Sequence, residues 1–407
     1  MSADSLSCSR RPVRDYFQGL SRIFAVLTAF VLPISTAALM VFFTATVLCC
    51  LLAGNWHEKY LILRHNPMAL MFIIFFALFL LGLSYTTVQW SLALHTLTKY
   101  SKFLLGFFLF SSFRHEKTAY SALFAFLLAS SLTLIFSLIK YFGHWDLLHR
   151  FASDSGVFKD HIFTGFLLAF TSYGFALFTF SMKNTWRWLF AALFLLAVYD
   201  VLFINISRSG YVVLFSLLLL LASQLFAWKG LLAGVLISIF LCCGLLFLPA
   251  NFKERFNLMH SEITQYKHGS FDTSVGLRLQ FYHNSMKLLK EHPWIGTGTG
   301  SFAQDYLAVT HDKQFATRNP HNEYLNIAVQ FGLLGLVILL AMFIVHAWSS
   351  FRLQGLRQYF AQAVLVSIAV GALFNSWLMD ATQGCFYVIF TALFFAELSY
   401  KSEEAIM

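Results

Sequence analysis

The polar side chains best suited to chemistry in this chain lie in one short stretch, residues 318–325. Arg318, His321 and Glu323 stand there, immediately before the sequence becomes apolar again. An imidazole takes and gives protons near pH 7 without a large environmental shift, so His321 is a candidate base or anchor for a hydroxyl nucleophile. A lone histidine at a helix start is more often a capping or interfacial residue. The polar neighbours of His321 favour a functional role.

The residues around His321 also predict its local structure. Pro320 suits the rigid start of a helix, which would place His321 in the first helical turn. Glu323 would then orient the imidazole or cap free backbone N–H groups of that turn. We therefore expect a proton-handling side chain at the boundary between a loop and an apolar helix.

Two further arginines could bind an anion. Arg208 lies in a polar stretch between two apolar segments, and Arg278 opens a helical segment of a long loop. An arginine at the end of a membrane span commonly snorkels to the headgroups. The alternative is a planar fork of N–H donors that binds a phosphate, for which arginine is better suited than lysine. Together with Arg318, these residues make a phosphate-binding site plausible.

Membrane helices must position these side chains. Of the 407 residues, 58% are hydrophobic and 12% are charged, and the mean hydropathy is +0.69, which excludes an ordinary soluble protein. The apolar runs are continuous rather than alternating, so every span should be a helix. We predict an all-α integral membrane protein with about twelve transmembrane helices, at roughly 20 residues per crossing. The predicted spans begin near residues 18, 36, 66, 97, 118, 161, 186, 209, 230, 323, 358 and 382.

The charged connections predict the orientation. Most arginines and lysines fall on alternate connections, as the positive-inside rule requires, so both termini should be cytoplasmic. A long loop over residues 250–322, between spans 9 and 10, should lie on the opposite face as a small domain. The chain thus divides into residues 1–249 with nine spans, the loop domain 250–322, and residues 323–407 with three spans and a cytoplasmic tail. Because the basic residues are spread among loops, we expect membrane lipids as partners and no nucleic acid.

The long loop contains an amphipathic pattern followed by glycines. Leu277, Phe281 and Leu288 recur at helical spacing, which predicts a helix over residues 275–291 against the membrane or the bundle. Pro293 should end it. Glycines at positions 296, 298 and 300 follow, but no strand precedes them and the lysine of a P-loop is absent, so they indicate turns. The loop is also basic, which fits either simple translocation of a long loop or an anionic ligand on the outer face.

Several kinds of chemistry lack a motif in this sequence. The outer loops have no HExxH, no DxD and no cluster of His and Asp at metal-ligand spacing, so we predict no metal and no other cofactor. The GxSxG elbow of serine hydrolases and the Walker motif of nucleotide-binding proteins are also missing. Without a nucleotide, the energy of a reaction must come from the substrate, such as a lipid diphosphate in the membrane.

Four motifs resemble those of the bacterial O-antigen ligases, within a broader group of O-antigen ligase and polymerase-like membrane proteins. They are SRSG at 207–210, GLR at 276–278, HPWIG at 292–296 continuing to the glycine at 300, and NPHNEYL at 319–325 followed by QFGLLG at 330–335. The last motif is the most specific. The number of spans, the length and the large loop between spans 9 and 10 also resemble this family.

The resemblance implies a glycosyltransferase of the bacterial inner membrane whose site opens to the periplasm. Such enzymes transfer O-antigen from undecaprenyl diphosphate to the lipid A core oligosaccharide, without a metal and with inversion at the anomeric carbon. By motif, His321 would activate or position the acceptor hydroxyl, while Arg208 and Arg278 would bind the diphosphate and stabilise it as it leaves. Neighbouring polar residues are expected to contact the substrates: Arg318, Asn319, Asn322, Glu323 and Tyr324.

Other functions are compatible with parts of the pattern. An O-antigen polymerase uses the same donor and differs in its acceptor, and a protein O-oligosaccharyltransferase is usually longer, with an added soluble part. A flippase or transporter would explain twelve spans without catalysis, but it predicts paired halves or helices broken at mid-membrane. The sequence shows neither feature, so we favour the ligase, with the polymerase as the alternative.

Overall fold

A computed structural model describes residues 3–143, 155–247, 261–265, 273–310 and 316–399. Within these ranges the regular structure is helical and contains no strand, so the all-α prediction is confirmed for this part of the chain. Parts of the predicted loop domain, namely residues 250–260, 266–272 and 311–315, and the end of the predicted cytoplasmic tail lie outside the described residues.

The helices follow one another with short connections over most of the chain. In chain order they are α1 (Ala3–Val31), α2 (Thr36–Leu52), α3 (Trp56–His65), α4 (Pro67–Leu83), α5 (Trp90–Gly106), α6 (Leu109–Ser112), α7 (Glu116–Gly143), α8 (His161–Ser181), α9 (Trp186–Tyr199, continued by a π-helical turn Asp200–Ile204), α10 (Arg208–Phe247), α11 (Ser274–Glu291), α12 (Phe302–Thr310), α13 (Glu323–Ser350), α14 (Leu356–Gly371) and α15 (Ala381–Phe395). A further helical piece covers residues 261–265.

Five described helices are long and apolar enough to cross a membrane. They are Glu116–Gly143, His161–Ser181, Trp186–Ile204, Arg208–Gly230 and Glu323–Ser350, and α2 with α3, bent by 112°, forms a sixth candidate if the pair is one span. The chain is therefore a membrane protein by helix length and composition. Each predicted span start lies in or next to a described helix, but several of these helices are too short to cross a membrane by themselves. The number of twelve spans therefore stays a prediction.

The core of the bundle consists of α8 and α15 and the aromatic residues between them. Nearly every side chain of these two helices is buried. Phe170 meets Phe386 edge to face at 4.8 Å between ring centroids, and Phe126 of α7 meets Phe390 at 4.7 Å. Such pairs contribute about 0.5–1.5 kcal/mol each beyond their buried area. This dense packing gives the site a rigid base.

Two long helices are interrupted, and only the first of these breaks coincides with a boundary between predicted spans. In α10 the break is at Ala227, between the predicted spans at 209 and 230. In α13 it is at Gly332, with φ 62° and ψ −156°. The freed amides of Leu333 and Leu334 donate to the carbonyls of Pro293 and Trp294, at 2.7 and 3.1 Å. The expectation of an unbroken span from residue 323 was therefore wrong, because a loop segment supplies the hydrogen bonds that the helix loses at this glycine.

The predicted amphipathic helix corresponds to α11. Thr273 caps it by accepting a hydrogen bond from the Gly276 amide at 3.0 Å, and it ends at Glu291, two residues before Pro293. Phe281 and Leu288 are buried against Phe302 and Tyr306 of α12 and against α13. The apolar stripe of α11 therefore packs against the bundle and α12, and this packing sets the position of Arg278 in its first turns.

Candidate functional site

His321 lies just before α13 and not in its first turn. Its φ of 53° is in the left-handed region, which costs a residue with a Cβ roughly 1–2 kcal/mol. The helix begins at Glu323, and Asn322 is the N-cap, whose side-chain oxygen accepts from the Leu325 amide at 3.1 Å. The prediction of a helical His321 was therefore wrong, because Asn322, and not Pro320, sets the helix start.

Asn319 holds the backbone of His321 in this conformation. Its Oδ1 accepts from the His321 amide at 2.8 Å and from the Ser376 hydroxyl at 2.6 Å. Its Nδ2 donates to Asn375 at 3.3 Å. Strain of this kind persists only where the surroundings determine it. The substrate contact predicted for Asn319 stays a prediction, and its described contacts fix the position of the histidine.

The imidazole of His321 is held between two other elements. Its Nδ1 is 3.1 Å from Oδ1 of Asn375, which lies in the connection between α14 and α15. Its ring stacks on Phe281 of α11, with centroids 5.8 Å apart and an interplanar angle of 21°. The His321 residue as a whole is half-buried. The imidazole thus has a fixed orientation at the junction of α11, α13 and the α14–α15 connection.

Burial and a neighbouring cation favour the neutral imidazole. Burial lowers the pKa of His321 below its usual value, and the charge of Arg278 lowers it further, while the hydrogen bond with Asn375 opposes this shift. A neutral imidazole with a free ring nitrogen can accept a proton at pH 7. The electrostatics therefore suit His321 to the role of a base.

Arg208 is positioned by close packing of two helices. It opens α10, where the Ser207 hydroxyl accepts from the Gly210 amide at 3.2 Å. Gly210 lies directly against Gly165 of α8, so that an added Cβ would approach the Gly165 backbone to 3.1 Å. Small residues permit such contacts between membrane helices. The motif SRSG at 207–210 therefore combines a cap, a close helix contact and an exposed guanidinium.

The two arginines and the histidine lie in one neighbourhood. Arg208 Nη1 is 3.5 Å from Oε2 of Glu262, in the helical piece 261–265. Burial lowers the pKa of Arg278, Tyr282 opposes this, and the charge of Arg208 lowers it further. Arg278 in turn acts on His321. The structure thus brings together three predicted residues that are far apart in sequence, in a region of positive potential suited to an anion.

Glu323 is placed differently from the sequence expectation. It is fully buried, its Oε1 accepts from the Tyr100 hydroxyl at 2.6 Å, and its Oε2 accepts from the amides of Leu378 and Met379 at 3.0 and 3.2 Å. The expectation that Glu323 orients the imidazole was wrong, because these partners hold the carboxylate. It anchors the α14–α15 connection instead, the same connection that carries Asn375.

Of the remaining residues predicted to contact substrate, two make hydrogen bonds within the protein and one is exposed. Asn322 caps α13 and also donates to the Leu373 carbonyl at 3.2 Å. Tyr324 donates to the Ala369 carbonyl at 2.8 Å and packs beside the core. Arg318 is exposed near His321 in sequence. Of these three, Arg318 has the placement that suits direct contact with a ligand.

The sequence did not identify the α14–α15 connection as part of the site. Asn375 Nδ2 donates to Oδ2 of Asp380 at 3.1 Å. Lys102 of α5 donates to the carbonyls of Leu378, Met379 and Asp380 at 2.5–3.0 Å. These contacts of Lys102 brace the connection that carries Asn375 and Asp380. The polar residues in the sequence 375–380 between two apolar runs were the available signal.

The glycine segment after α11 forms turns, as its sequence indicates. Gly298 has φ 95°, and a Cβ there would approach the Cα of Thr86 to 2.5 Å. The amides of Gly298 and Gly300 donate to the backbone carbonyl and the side-chain oxygen of Gln330, at 2.8 and 2.7 Å. These amides are therefore occupied by protein and do not form a phosphate cradle. The segment fixes α11 and α12 against α13.

Fold and site together define a class: a helical membrane protein in which one histidine and two arginines lie in one neighbourhood at the ends of its helices. Residues 191–340 match the family model described as O-antigen ligase (Wzy_C), a segment that contains Arg208, Arg278 and His321. This match supports the O-antigen ligase and polymerase-like family for this chain and confirms the resemblance seen in its motifs. No curated protein matches the chain.

Proposed function

We propose that this protein is an O-antigen ligase, which transfers O-antigen polysaccharide from undecaprenyl diphosphate to the lipid A core oligosaccharide. The observation that carries the proposal is the stacking of His321 on Phe281 of the helix that carries Arg278, whose charge acts on the imidazole and is itself influenced by Arg208. A base beside a diphosphate-binding pair is what transfer of a glycan from a lipid diphosphate requires. The O-antigen ligase family match over this region supports the same assignment.

In the proposed reaction, His321 takes the proton of the acceptor hydroxyl through its free ring nitrogen. The oxygen then bonds to the anomeric carbon from the face opposite the diphosphate, and the bond between that carbon and the diphosphate oxygen breaks with inversion. The leaving diphosphate keeps the electron pair, and Arg208 and Arg278 stabilise its added charge. The imidazolium finally gives its proton to water or to the diphosphate. The positive charges take the place that a metal ion holds in other diphosphate chemistry.

The proposed topology follows from the same reasoning. His321, Arg208 and Arg278 would face the periplasm, both termini would be cytoplasmic, and the protein would lie in the bacterial inner membrane. Arg318, which is exposed beside the site, would contact the sugar or phosphate of a substrate. The predicted substrate contacts of Asn319, Asn322, Glu323 and Tyr324 would be secondary to the supporting contacts described above.

An experiment on the two lipid products tests the ligase against the polymerase. Purified protein is reconstituted with undecaprenyl-diphosphate-linked O-glycan and lipid A core, and both lipids are analysed by gel and mass spectrometry. Glycan attached to the lipid A core supports the ligase. Longer lipid-linked glycan with a bare core would replace it by the polymerase, and unchanged lipids would contradict both.

A further inference from the structure

Asn375 contacts His321 but does not belong to the motifs that contain Arg208, Arg278 and His321. We propose that Asn375 is a positioning residue that fixes the His321 imidazole in the Nδ1–H tautomer, with Asp380 holding the Asn375 amide in the required orientation. The inference rests on the proposed function, since the proton that the other ring nitrogen would take is that of the acceptor hydroxyl. Both residues lie outside the segment 191–340 that matches the family model.

The orientation of the Asn375 amide follows from its partners. Its Nδ2 donates to the Asp380 carboxylate at 3.1 Å, and a carboxylate oxygen of this kind accepts hydrogen bonds. Its Oδ1 accepts from the Ser376 amide at 2.9 Å and from Asn319 Nδ2 at 3.3 Å. A flipped amide would lose these three hydrogen bonds at once. The side-chain oxygen therefore faces His321.

This orientation determines which imidazole nitrogen carries the proton. Oδ1 of Asn375 is an acceptor only, and it lies 3.1 Å from Nδ1 of His321, so Nδ1 must donate its hydrogen. In a neutral ring, Nε2 then has the free lone pair. In the other tautomer, Nε2 would carry a hydrogen and could not accept the proton of the acceptor hydroxyl. Other enzymes likewise use an oxygen acceptor at Nδ1–H to hold a catalytic histidine in the correct tautomer.

The surroundings of Asn375 keep the contact rigid. The amides of Leu378 and Met379 donate to the buried Glu323, and Lys102 donates to three carbonyls of residues 378–380. The connection that carries Asn375 and Asp380 is thus held from both sides. Fixed partners of a reacting group limit its misplacement, and a shift of about 1 Å costs about 100-fold in rate.

The pH dependence of His321 is influenced by the titratable and charged groups around it. Arg278 and Tyr282 face it from α11, with the Tyr282 hydroxyl 3.3 Å from the His321 carbonyl, and Asp380 reaches it through Asn375. On its own segment, Arg318 is exposed and Glu323 is turned into the core. Exchanging Asn375 and Asp380 keeps every other titratable residue in the chain and places a carboxylate beside the imidazole, so a shift in the titration of His321 itself would report on this pair.

The test compares Asn375→Ala with the double variant Asn375→Asp, Asp380→Asn in the full-length protein. The first removes the acceptor for Nδ1–H, and we expect kcat to fall about 100-fold while the donor KM stays nearly constant. In the double variant, the carboxylate at position 375 accepts from Nδ1–H, and the side-chain amide at position 380 donates to that carboxylate. It should recover much of kcat, and its activity should decline with acid at higher pH than in the wild type, because a carboxylate favours the imidazolium.

A second readout does not depend on glycan transfer. Diethyl pyrocarbonate modifies the unprotonated nitrogen of a histidine, and peptide mass spectrometry follows His321 alone as pH is varied. The midpoint should move to lower pH in Asn375→Ala and upward, by about one unit or more, in the double variant. Equal midpoints in all three proteins, or a wild-type kcat in Asn375→Ala, would overturn the inference. If the midpoints move as expected but the wild type transfers no glycan, the proposed function fails while the positioning role stands.

Discussion

The imidazole of His321 stacks on Phe281, with ring centroids 5.8 Å apart, so a helix of the long loop touches a residue that lies two positions before a candidate membrane helix begins. Phe281 is also part of the small core between α11 and α12, and Arg278 lies one turn earlier on the same helix. The helix α11 therefore supplies both the ring that packs on the His321 imidazole and the cation near it. The relation of α11 to α13 determines whether the base and the arginines work on the same substrate.

Replacing Arg208 by lysine should be severe although the charge is kept. A lysine offers a single ammonium group, which does not reproduce the planar fork that binds a phosphate. We expect transfer to fall by about 100-fold or more, as when one oxyanion donor is removed. Arg187→Lys is the matched control, since Arg187 lies at the start of α9, whereas Arg208 follows the end of α9 and its π-helical turn. Near-normal turnover of Arg208→Lys in the same vesicles would favour an arginine that only snorkels to headgroups.

Glu262→Gln should strengthen donor binding. The Glu262 carboxylate is 3.5 Å from Arg208 and would compete with a phosphate for the guanidinium. The Arg208 side chain is exposed and that of Glu262 is only partly so. An ion pair near the surface is worth about 0.2–1 kcal/mol, so the donor KM should fall by up to about fivefold with kcat unchanged. Initial rates over a range of donor concentrations measure this, with the exposed Glu291→Gln as the control. A raised KM would mean that Glu262 holds Arg208 in its working position.

Glu323→Gln separates support from substrate contact. The buried carboxylate accepts from Tyr100, Leu378 and Met379, and an amide nitrogen in its place would meet donors. Leaving one such group unsatisfied costs about 1–3 kcal/mol, so the unfolding temperature in detergent should fall, and Tyr100→Phe should lower it as well. An unchanged unfolding temperature together with a raised acceptor KM would instead indicate that Glu323 contacts a substrate.

The pH dependence should follow the neutral form of His321. Burial and then the charge of Arg278 lower its pKa below the usual value, and the active neutral ring is present above that pKa. Activity should therefore persist below pH 6.5, the ordinary value for histidine, and decline only as the pH falls through the lowered pKa. In Arg278→Gln the residual activity should decline at higher pH, because the cation is gone. A decline at the same pH in both proteins would remove His321 as the titrating base.

The sequence predicted individual features better than their arrangement. Helical spacing of Phe281 and Leu288 predicted α11, because one buried face imposes that period. The motif around His321 located the base, but not its left-handed backbone, since Asn322 rather than Pro320 sets the helix start. Asn375 lies 54 residues beyond His321. Its contribution depends on the packing of α14 and α15, which no local pattern contains.

The break at Gly332 was missed for a related reason. Within an apolar run, a glycine is compatible with a continuous helix, and only the carbonyls of Pro293 and Trp294 show why the chain turns there. The electrostatic influence of Arg208 on Arg278 likewise joins residues 70 positions apart by numbering, and it depends on tertiary packing. Local sequence determines the helices and their caps, while tertiary packing determines which side chains meet.

The most direct test of the account is the single-turnover rate of glycan transfer in reconstituted vesicles, measured for the wild type, His321→Ala and His283→Ala. His283 is an exposed histidine on α11 and serves as the matched control. Loss of a general base costs about 10²–10⁴-fold, so His321→Ala should be slower by at least about 100-fold, while His283→Ala keeps the wild-type rate and both variants keep its unfolding temperature. A wild-type rate in His321→Ala would contradict the central claim that this imidazole takes the acceptor proton.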